Sequence, residues 1–236
     1  MADSRGEKVH SAFASTLRRV CGRFVATSTR DLLVDWFHVE EVDAGEGLAP
    51  NYNVAPTDDV YTITQEEDRR RLEVTPWGLV AGDGATPLIN ARAETLVERP
   101  VFRDAFEHRR CLLPADGFYE WEGVGGGRKQ PYLFFPPDGH PVGFAGLSGR
   151  RGTCAIITSA ARPPVARLHD RMPVVLAPDL WDFWLDPEAA LDELLALLAP
   201  APEAPFATRR VSTLVNDVRN NDSSLVEEVA PPLQLF

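Results

Sequence analysis

Apolar and polar residues alternate in short runs along most of the chain, and a few segments show the spacing of an amphipathic helix. The strand-like runs are residues 60–64, 72–80, 109–123, 131–135, 142–147, 153–159, 172–176 and 211–218. The helical patterns are residues 28–40, 90–98, 102–109 and 187–199. We interpret the glycine-rich residues 123–128 as a hairpin loop and the stretch after residue 199 as a linker. Because the strands do not alternate regularly with helices, we predict one α+β domain with a curved, mostly antiparallel β-sheet core and a few peripheral helices.

Composition narrows the class of protein. With 236 residues, 44% of them hydrophobic, the chain can bury one sizeable core and is not expected to be disordered. No run of 18 uncharged apolar residues predicts a membrane span, and residues 1–20 lack the apolar core of a secretory signal. Three cysteines without a CxxC pair fit neither a disulfide framework nor a zinc site. We therefore expect a cytoplasmic protein without metal or cofactor.

The net charge of −11 is unusual for a protein that binds nucleic acid, but the basic residues are almost all arginine. Arginine forms a planar fork that fits phosphate, so a local anion site can lie within an acidic protein. A genome composition that favours arginine codons explains the same count. Charge alone does not separate these two interpretations.

Cys21 lies beside a turn glycine and Arg23. It could be a small buried cysteine, or a thiol made reactive by the neighbouring cation. If Cys21 were also the first residue of the chain, its amine and thiol would form a 1,2-aminothiol. Such a group condenses with an aldehyde, the amine forming an imine and the thiol then closing a thiazolidine ring.

Two further clusters carry titratable or polar groups. Asn90 opens the segment NARAET, where it could act as a plain helix cap. Glu120 lies between Tyr119 and Trp121, so strand alternation places its carboxyl on the opposite face from both rings. A carboxyl near apolar groups can have a raised pKa suited to general-acid work, although the solvent face of a strand is the more usual place for glutamate.

A last cluster, HDR, contains His169 and Arg171. His169 could exchange protons near neutral pH, and a salt-bridged turn explains the same residues.

Taken together and in order, ten segments resemble the SOS response-associated peptidase (SRAP) family from Cys21 to about Asn221. They are CGRF, NYNVAPT, WGLV, NARAET, RRCLLPADGFYEW, PYLF, FAGL, AIIT, HDRMPVVL and VSTLVN. The resemblance implies a single α+β domain that binds single-stranded DNA, crosslinks covalently to abasic sites and so protects them during the DNA damage response. It also implies that Cys21 is the mature N-terminus.

The resemblance further assigns catalytic roles to Cys21, Asn90, Glu120 and His169. Glu120 is expected to help open the abasic sugar and to shuttle protons while the Cys21 amine attacks C1′. Asn90 is expected to orient the amine or the sugar oxygen, and His169 to bind the sugar hydroxyl and help reverse the linkage. Elimination from the same imine would give weak lyase activity.

The expected DNA contacts are of two kinds. Three arginines are expected to hold phosphates, and aromatic or hydroxyl side chains to lie against the strand. These residues are Arg23, Phe24, Trp77, Arg92, Trp121, Thr158 and Arg171. Trp77 or Trp121 would stack on a neighbouring base. The expected partner is single-stranded DNA with an abasic site, bound by a monomer that is nucleoid-associated when on damaged DNA.

Residues 1–20 are expected to be a leader absent from the mature protein. Either the chain cleaves its own Val20–Cys21 bond, or translation starts at the codon of Val20 read as methionine. Two other functions remain open: a thiol peptidase using Cys21 and His169, and a noncatalytic module for single-stranded DNA.

Overall fold

The structure is a computed structural model that describes residues 21–80, 82, 85–123, 129–199 and 206–231. Within them the strands are β1 (Phe24–Ala26), β2 (Glu41–Asp43), β3 (Asn51–Val54), β4 (Asp59–Glu66), β5 (Arg69–Pro76), β6 (Asn90–Arg92), β7 (Arg110–Ala115), β8 (Gly117–Glu122), β9 (Gln130–Phe135), β10 (Val142–Ser148), β11 (Cys154–Ala160), β12 (Arg171–Pro173), β13 (Val175–Leu176) and β14 (Ala207–Arg210). The α-helices are α1 (Arg30–Trp36), α2 (Pro100–His108), α3 (Trp181–Leu185) and α4 (Leu191–Leu197). The expected leader, most of the hairpin loop and the linker at residues 200–205 lie outside the described residues.

The strands form two sheets. One has five strands in the order β14-β9-β8-β1-β3, all antiparallel. The other runs β12-β11-β10-β7-β4-β5-β2, with β13 paired to β10 and β6 paired to β11. In this second sheet only the pairs β6–β11 and β2–β5 are parallel among the described strands. The prediction of one mostly antiparallel α+β domain is confirmed, with two sheets as its core.

Strand alternation explains how the sheets are layered. Along β7, Cys111 and Leu113 face the core between the two sheets, while Leu112 faces the core under the helices. Along β8, Phe118 points into the inter-sheet core and Tyr119 into a third cluster, covered by the C-terminal segment. Both faces of the central strands are therefore apolar, and a polar side chain on such a strand is surrounded by protein.

The helix predicted at residues 28–40 is confirmed as α1. Its N-cap is Thr29, whose hydroxyl accepts the Leu32 N–H at 3.3 Å. The helix predicted at residues 102–109 corresponds to α2, and the one at 187–199 is confined to α4.

Two of the predicted elements are wrong. Residues 90–98 are not a helix, because β6 pairs in parallel with β11, with Asn90 opposite Ile156, and only one 3₁₀ turn follows. Residues 211–218 are not a strand. Ser212 caps a 3₁₀ turn at Thr213–Asn216 by accepting the Leu214 N–H, so that Val211 and Val215 both reach the third apolar cluster.

Candidate functional site

Cys21 lies just before β1, in the core between the two sheets. Its residue is fully buried and its backbone φ is +37°, in the left-handed region that costs a non-glycine residue roughly 1 kcal/mol or more. Burial raises the pKa of the thiol well above its usual value, and the nearby Glu120 carboxyl raises it further. The sulfur is therefore a neutral thiol rather than a thiolate.

Glu120 meets the backbone nitrogen of Cys21. The Cys21 N–H donates to Glu120 Oε1 at 3.0 Å, in a buried hydrogen bond. Glu120 lies on β8 and only 2% of it is exposed, which excludes the solvent-face alternative. It extends on the opposite side of the strand from Tyr119 and Trp121, which belong to the third cluster.

Burial raises the pKa of Glu120 to about 8, and Asp170 contributes in the same direction, while the Cys21 N–H lowers it. This raised pKa corresponds to the first of the two alternatives left open for Glu120, a carboxyl near apolar groups. Near neutral pH the carboxyl exists in both protonation states, so it can donate a proton and accept one.

Asn90 reaches Cys21 from the second sheet. It opens β6, and its Nδ2 donates to the Cys21 carbonyl at 3.4 Å. The parallel pairing with β11 fixes this strand. Asn90 and Glu120 thus both contact Cys21, although they lie 69 and 99 positions from it along the chain.

His169 lies just before β12. Leu168 packs against the same apolar cluster as Cys21. The His169 side chain is 17% exposed, and its Nδ1 accepts the Arg171 backbone N–H at 3.0 Å. Asp170 Oδ1 lies 3.1 Å from the same nitrogen.

The three arginines differ in their surroundings. Arg23 donates from Nη1 to Asn53 Oδ1 at 2.7 Å and to the Val215 carbonyl at 2.9 Å. Arg171 forms a two-point ion pair with Glu94. Arg92 is exposed at the end of β6. Arg92 is thus the one of these three whose side chain extends into solvent.

Two of the aromatic side chains expected to contact DNA lie in the core. Trp77 and Phe24 are fully buried, with ring centroids 5.1 Å apart, and Trp77 donates its indole N–H to the Ile89 carbonyl at 2.9 Å. Neither ring has an exposed face in this structure, which argues against the predicted contacts of Trp77 and Phe24 with DNA; both contacts stay predictions. Thr158 is also fully buried, and its hydroxyl donates to the Ala91 carbonyl at 3.3 Å, so its DNA contact likewise stays a prediction that its burial argues against.

Trp121 differs from those rings because it is half-buried. Its indole N–H donates to Asn216 Oδ1 at 2.6 Å. Asn216 belongs to the 3₁₀ turn that replaces the predicted last strand. Of the two rings expected to stack on a base, Trp121 is thus the one that is partly exposed to solvent.

Sequence reasoning missed Asn53 as an organiser of the site. The side chain is 2% exposed and its Nδ2 lies within hydrogen-bonding distance of three carbonyls, those of Val215, Asp217 and Asn220, while Oδ1 accepts from Arg23. The signal available was an asparagine between apolar residues in the strand-like segment NYNV. A buried amide on a strand needs partners, and here it fastens the C-terminal turn beside the Cys21 segment.

Within the described ranges, neither a membrane-spanning helix nor a metal-binding group of side chains is found. None of the helices there has both the length and the apolar character needed to cross a bilayer. The same ranges contain no group of three or more His, Cys, Asp or Glu side chains arranged to hold a metal ion.

Known proteins resemble this chain over most of its length. Relatives include the abasic site processing protein YoaM of Bacillus subtilis, 36% identical over 222 residues that cover 88% of this chain and 98% of the relative. Another is the abasic site processing protein YedK of Escherichia coli, 31% identical over 89% of this chain and the whole relative. A solved structure from Bacteroides thetaiotaomicron matches with a TM-score of 0.76 at 22% identity, over 89% of this chain and all of that one.

A phage-related protein from Bordetella bronchiseptica matches with a TM-score of 0.66 at 31% identity, over 81% of this chain and 94% of that one. The family model described as SOS response associated peptidase (SRAP) matches residues 20–218. Its match includes the Cys21 segment, both sheets and the 3₁₀ turn after β14. The chain belongs to the SRAP family.

Proposed function

We propose that this protein processes abasic sites by binding single-stranded DNA and forming a covalent thiazolidine through Cys21. The observation that carries the proposal is the buried hydrogen bond of 3.0 Å between the Cys21 nitrogen and Glu120. It brings together the nitrogen that would attack an aldehyde and a carboxyl able to exchange protons near neutral pH. The names of the relatives, abasic site processing proteins, support the same substrate.

The reaction begins with the sugar. An abasic deoxyribose is mostly a closed hemiacetal, and opening it requires a proton on the ring oxygen and loss of one from the anomeric hydroxyl. Glu120 in its protonated form supplies the first. The Cys21 amine then adds to C1′ of the aldehyde, and loss of water gives the imine.

The thiol closes the ring in the last step. Because burial keeps Cys21 protonated, the sulfur adds to the imine carbon while its proton passes to the nitrogen. Asn90 holds the Cys21 carbonyl at 3.4 Å, which fixes the residue while its two ends react. His169 binds the sugar hydroxyl through Nε2 and assists reversal, and elimination from the imine gives weak lyase activity.

The mechanism requires a free Cys21 amine. While residue 20 is attached, that nitrogen is an amide whose lone pair is delocalised and cannot form an imine. The two routes to a free amine are self-cleavage and a start at codon 20. In self-cleavage the Cys21 thiol attacks the carbonyl of residue 20, the C–N bond breaks as Glu120 protonates the nitrogen, and water hydrolyses the thioester. Intact mass of the protein from its native host should give a chain that begins at Cys21.

The test of the function is a denaturing gel of the protein with a single-stranded oligonucleotide that carries one abasic site. We expect a shifted covalent band that is lost with Cys21→Ala and kept with Cys154→Ala, another buried cysteine of the same core. A tetrahydrofuran analogue, which has no aldehyde, should give no band. A covalent band from Cys21→Ala, or from an unprocessed chain, would contradict the aminothiol mechanism.

Two other functions give different results. A thiol peptidase would keep its activity after acetylation of the α-amine, whereas crosslinking requires that amine. A noncatalytic module would bind and function equally well with Cys21→Ala. The acetylated protein therefore separates the peptidase from the proposal, and Cys21→Ala separates the noncatalytic module.

A further inference from the structure

The nitrogen edge of the Trp121 ring is held by the side-chain amide of Asn216. The indole N–H donates to Asn216 Oδ1 at 2.6 Å, and Asn216 Nδ2 donates to the Lys129 carbonyl at 3.2 Å. An indole N–H can only donate and a carbonyl oxygen can only accept, so just one orientation of the amide satisfies both partners. Because Trp121 pairs with Pro131 across β8 and β9, the amide joins the ring to the chain just before β9.

Packing alone constrains this ring weakly, because Trp121 is only half-buried. The Tyr119 ring lies 6.3 Å from it, tilted by 49°. The torsion that turns an indole about its Cβ–Cγ bond has a broad preference that is roughly two-fold. A ring turned over about that bond would direct its N–H away from Asn216 and leave the amide oxygen without this donor. The hydrogen bond therefore selects one of the two orientations of a half-buried ring.

The 3₁₀ turn that ends at Asn216 is also tied to the Cys21 segment. The carbonyl of Val215, the preceding residue, accepts from Arg23 Nη1 at 2.9 Å. Arg23 lies two positions after Cys21, whose N–H donates to Glu120. Chain segments and hydrogen bonds thus form a closed circuit that runs through Cys21, Arg23, Val215, Asn216, Trp121 and Glu120. In this circuit only the contact of the indole with the Asn216 amide joins two side chains, so a substitution there opens the circuit without removing a backbone group.

We propose that Asn216 is a positioning residue that fixes the Trp121 ring relative to Cys21, so that a base beside the abasic site meets a preformed stacking surface. Aromatic rings serve as such surfaces in proteins that bind single-stranded nucleic acid. A ring that is held before binding loses less side-chain freedom when a base stacks on it, which favours binding. The stacking of a base rests on the proposed function, while the attachment of the ring to Asn216 does not.

The first experiment therefore observes the ring in the full-length protein without DNA. Proton–nitrogen NMR should show a hydrogen-bonded indole N–H for Trp121, assigned by its loss in Trp121→Phe. Asn216→Ala should shift this signal and speed its exchange with water, because the N–H loses its acceptor. The indole signals of the fully buried Trp77 and Trp184 should not move and so report that the fold is kept. Thr213→Ala, which removes another exposed polar side chain of the same turn, should leave the Trp121 signal in place. An unchanged Trp121 signal in Asn216→Ala would overturn the proposal.

The second experiment measures the affinity for single-stranded DNA without an abasic site, by fluorescence anisotropy. Trp121→Ala should weaken binding by about tenfold, because it removes a stacking surface. Asn216→Ala should weaken binding by about threefold, because the ring is no longer held before the base arrives. In a Trp121→Phe background, which keeps a ring but has no N–H to hold, Asn216→Ala should have no further effect. Thr213→Ala should bind as the wild type does.

The two backgrounds distinguish a positioning residue from a direct contact with DNA. An equal loss from Asn216→Ala in both backgrounds would mean that the amide itself contacts DNA, and this would overturn the proposal. Wild-type affinity in Trp121→Ala would overturn it as well, because no base would then stack on this ring. If the wild-type protein formed no covalent band with abasic DNA, the function proposed above would fail, and the NMR measurement would still decide whether Asn216 holds the ring.

Discussion

Glu120 makes the stability of the folded protein fall as the pH rises, and Glu120→Gln should remove this dependence. Burial raises the pKa of this carboxyl from its usual 4.5 to about 8. Between these values the unfolded chain has released the proton and the folded protein still holds it. The contribution to stability is therefore fully present below pH 4.5 and is lost as the pH rises toward 8.

The magnitude follows from the width of that interval. Each pH unit within it changes the free energy of unfolding by about 1.4 kcal/mol. From about pH 5.5 to about pH 7.5 this single carboxyl should lower the free energy of unfolding of the wild-type protein by on the order of 3 kcal/mol. Because Glu120 is almost completely buried, solvent screening reduces this little.

The assay is urea denaturation of the full-length chain at several pH values, followed by tryptophan fluorescence. The free energy of unfolding of Glu120→Gln, minus that of wild type, should rise by about 3 kcal/mol between the lower and the higher pH. Glu122→Gln, which removes an exposed carboxyl from the same strand, is the matched control and should follow wild type. Parallel curves for wild type and Glu120→Gln would refute the assignment of a buried, protonated carboxyl.

Two further predictions concern DNA binding and the core. Arg92→Ala should weaken binding to single-stranded DNA, measured by fluorescence anisotropy, and should reduce the slope of log K against log salt by about 0.7. Arg150→Ala, which removes an exposed arginine paired with Asp104 of α2, should change neither quantity. Equal slopes for Arg92→Ala and wild type would mean that this side chain contacts no phosphate. Trp77→Ala should lower the free energy of unfolding by about 3–5 kcal/mol in urea, because the ring is fully buried. A loss below about 1 kcal/mol would contradict its place in the core.

The sequence predicted what depends on local spacing. Alternation placed Glu120 on the opposite face from Tyr119, and apolar spacing located the helix that forms α1. The grouping of Cys21 with Glu120 came from family resemblance alone, because no local rule brings together residues 99 positions apart.

The errors arise where distant segments decide the local conformation. NARAET has the spacing of a helix, but pairing with β11 draws Asn90 into a strand. The burial of Trp77 was equally hidden, because the sequence does not reveal that Phe24 and the Ile89 carbonyl enclose its ring. The ion pair of Glu94 with Arg171 was likewise invisible, since it joins residues 77 positions apart through the order of strands in the sheet.

The hydrogen bond from Arg23 to the Val215 carbonyl can form only late in the synthesis of the chain. These residues are 192 positions apart, so Arg23 leaves the ribosome long before its partner has been synthesised. At roughly 5–20 residues per second, the delay is roughly 10–40 s. During synthesis the Cys21 segment therefore exists without the turn that Asn53 and Arg23 fasten beside it. A translation product that stops before Val215 cannot form this hydrogen bond, so only chains that extend past this residue complete the arrangement around Arg23.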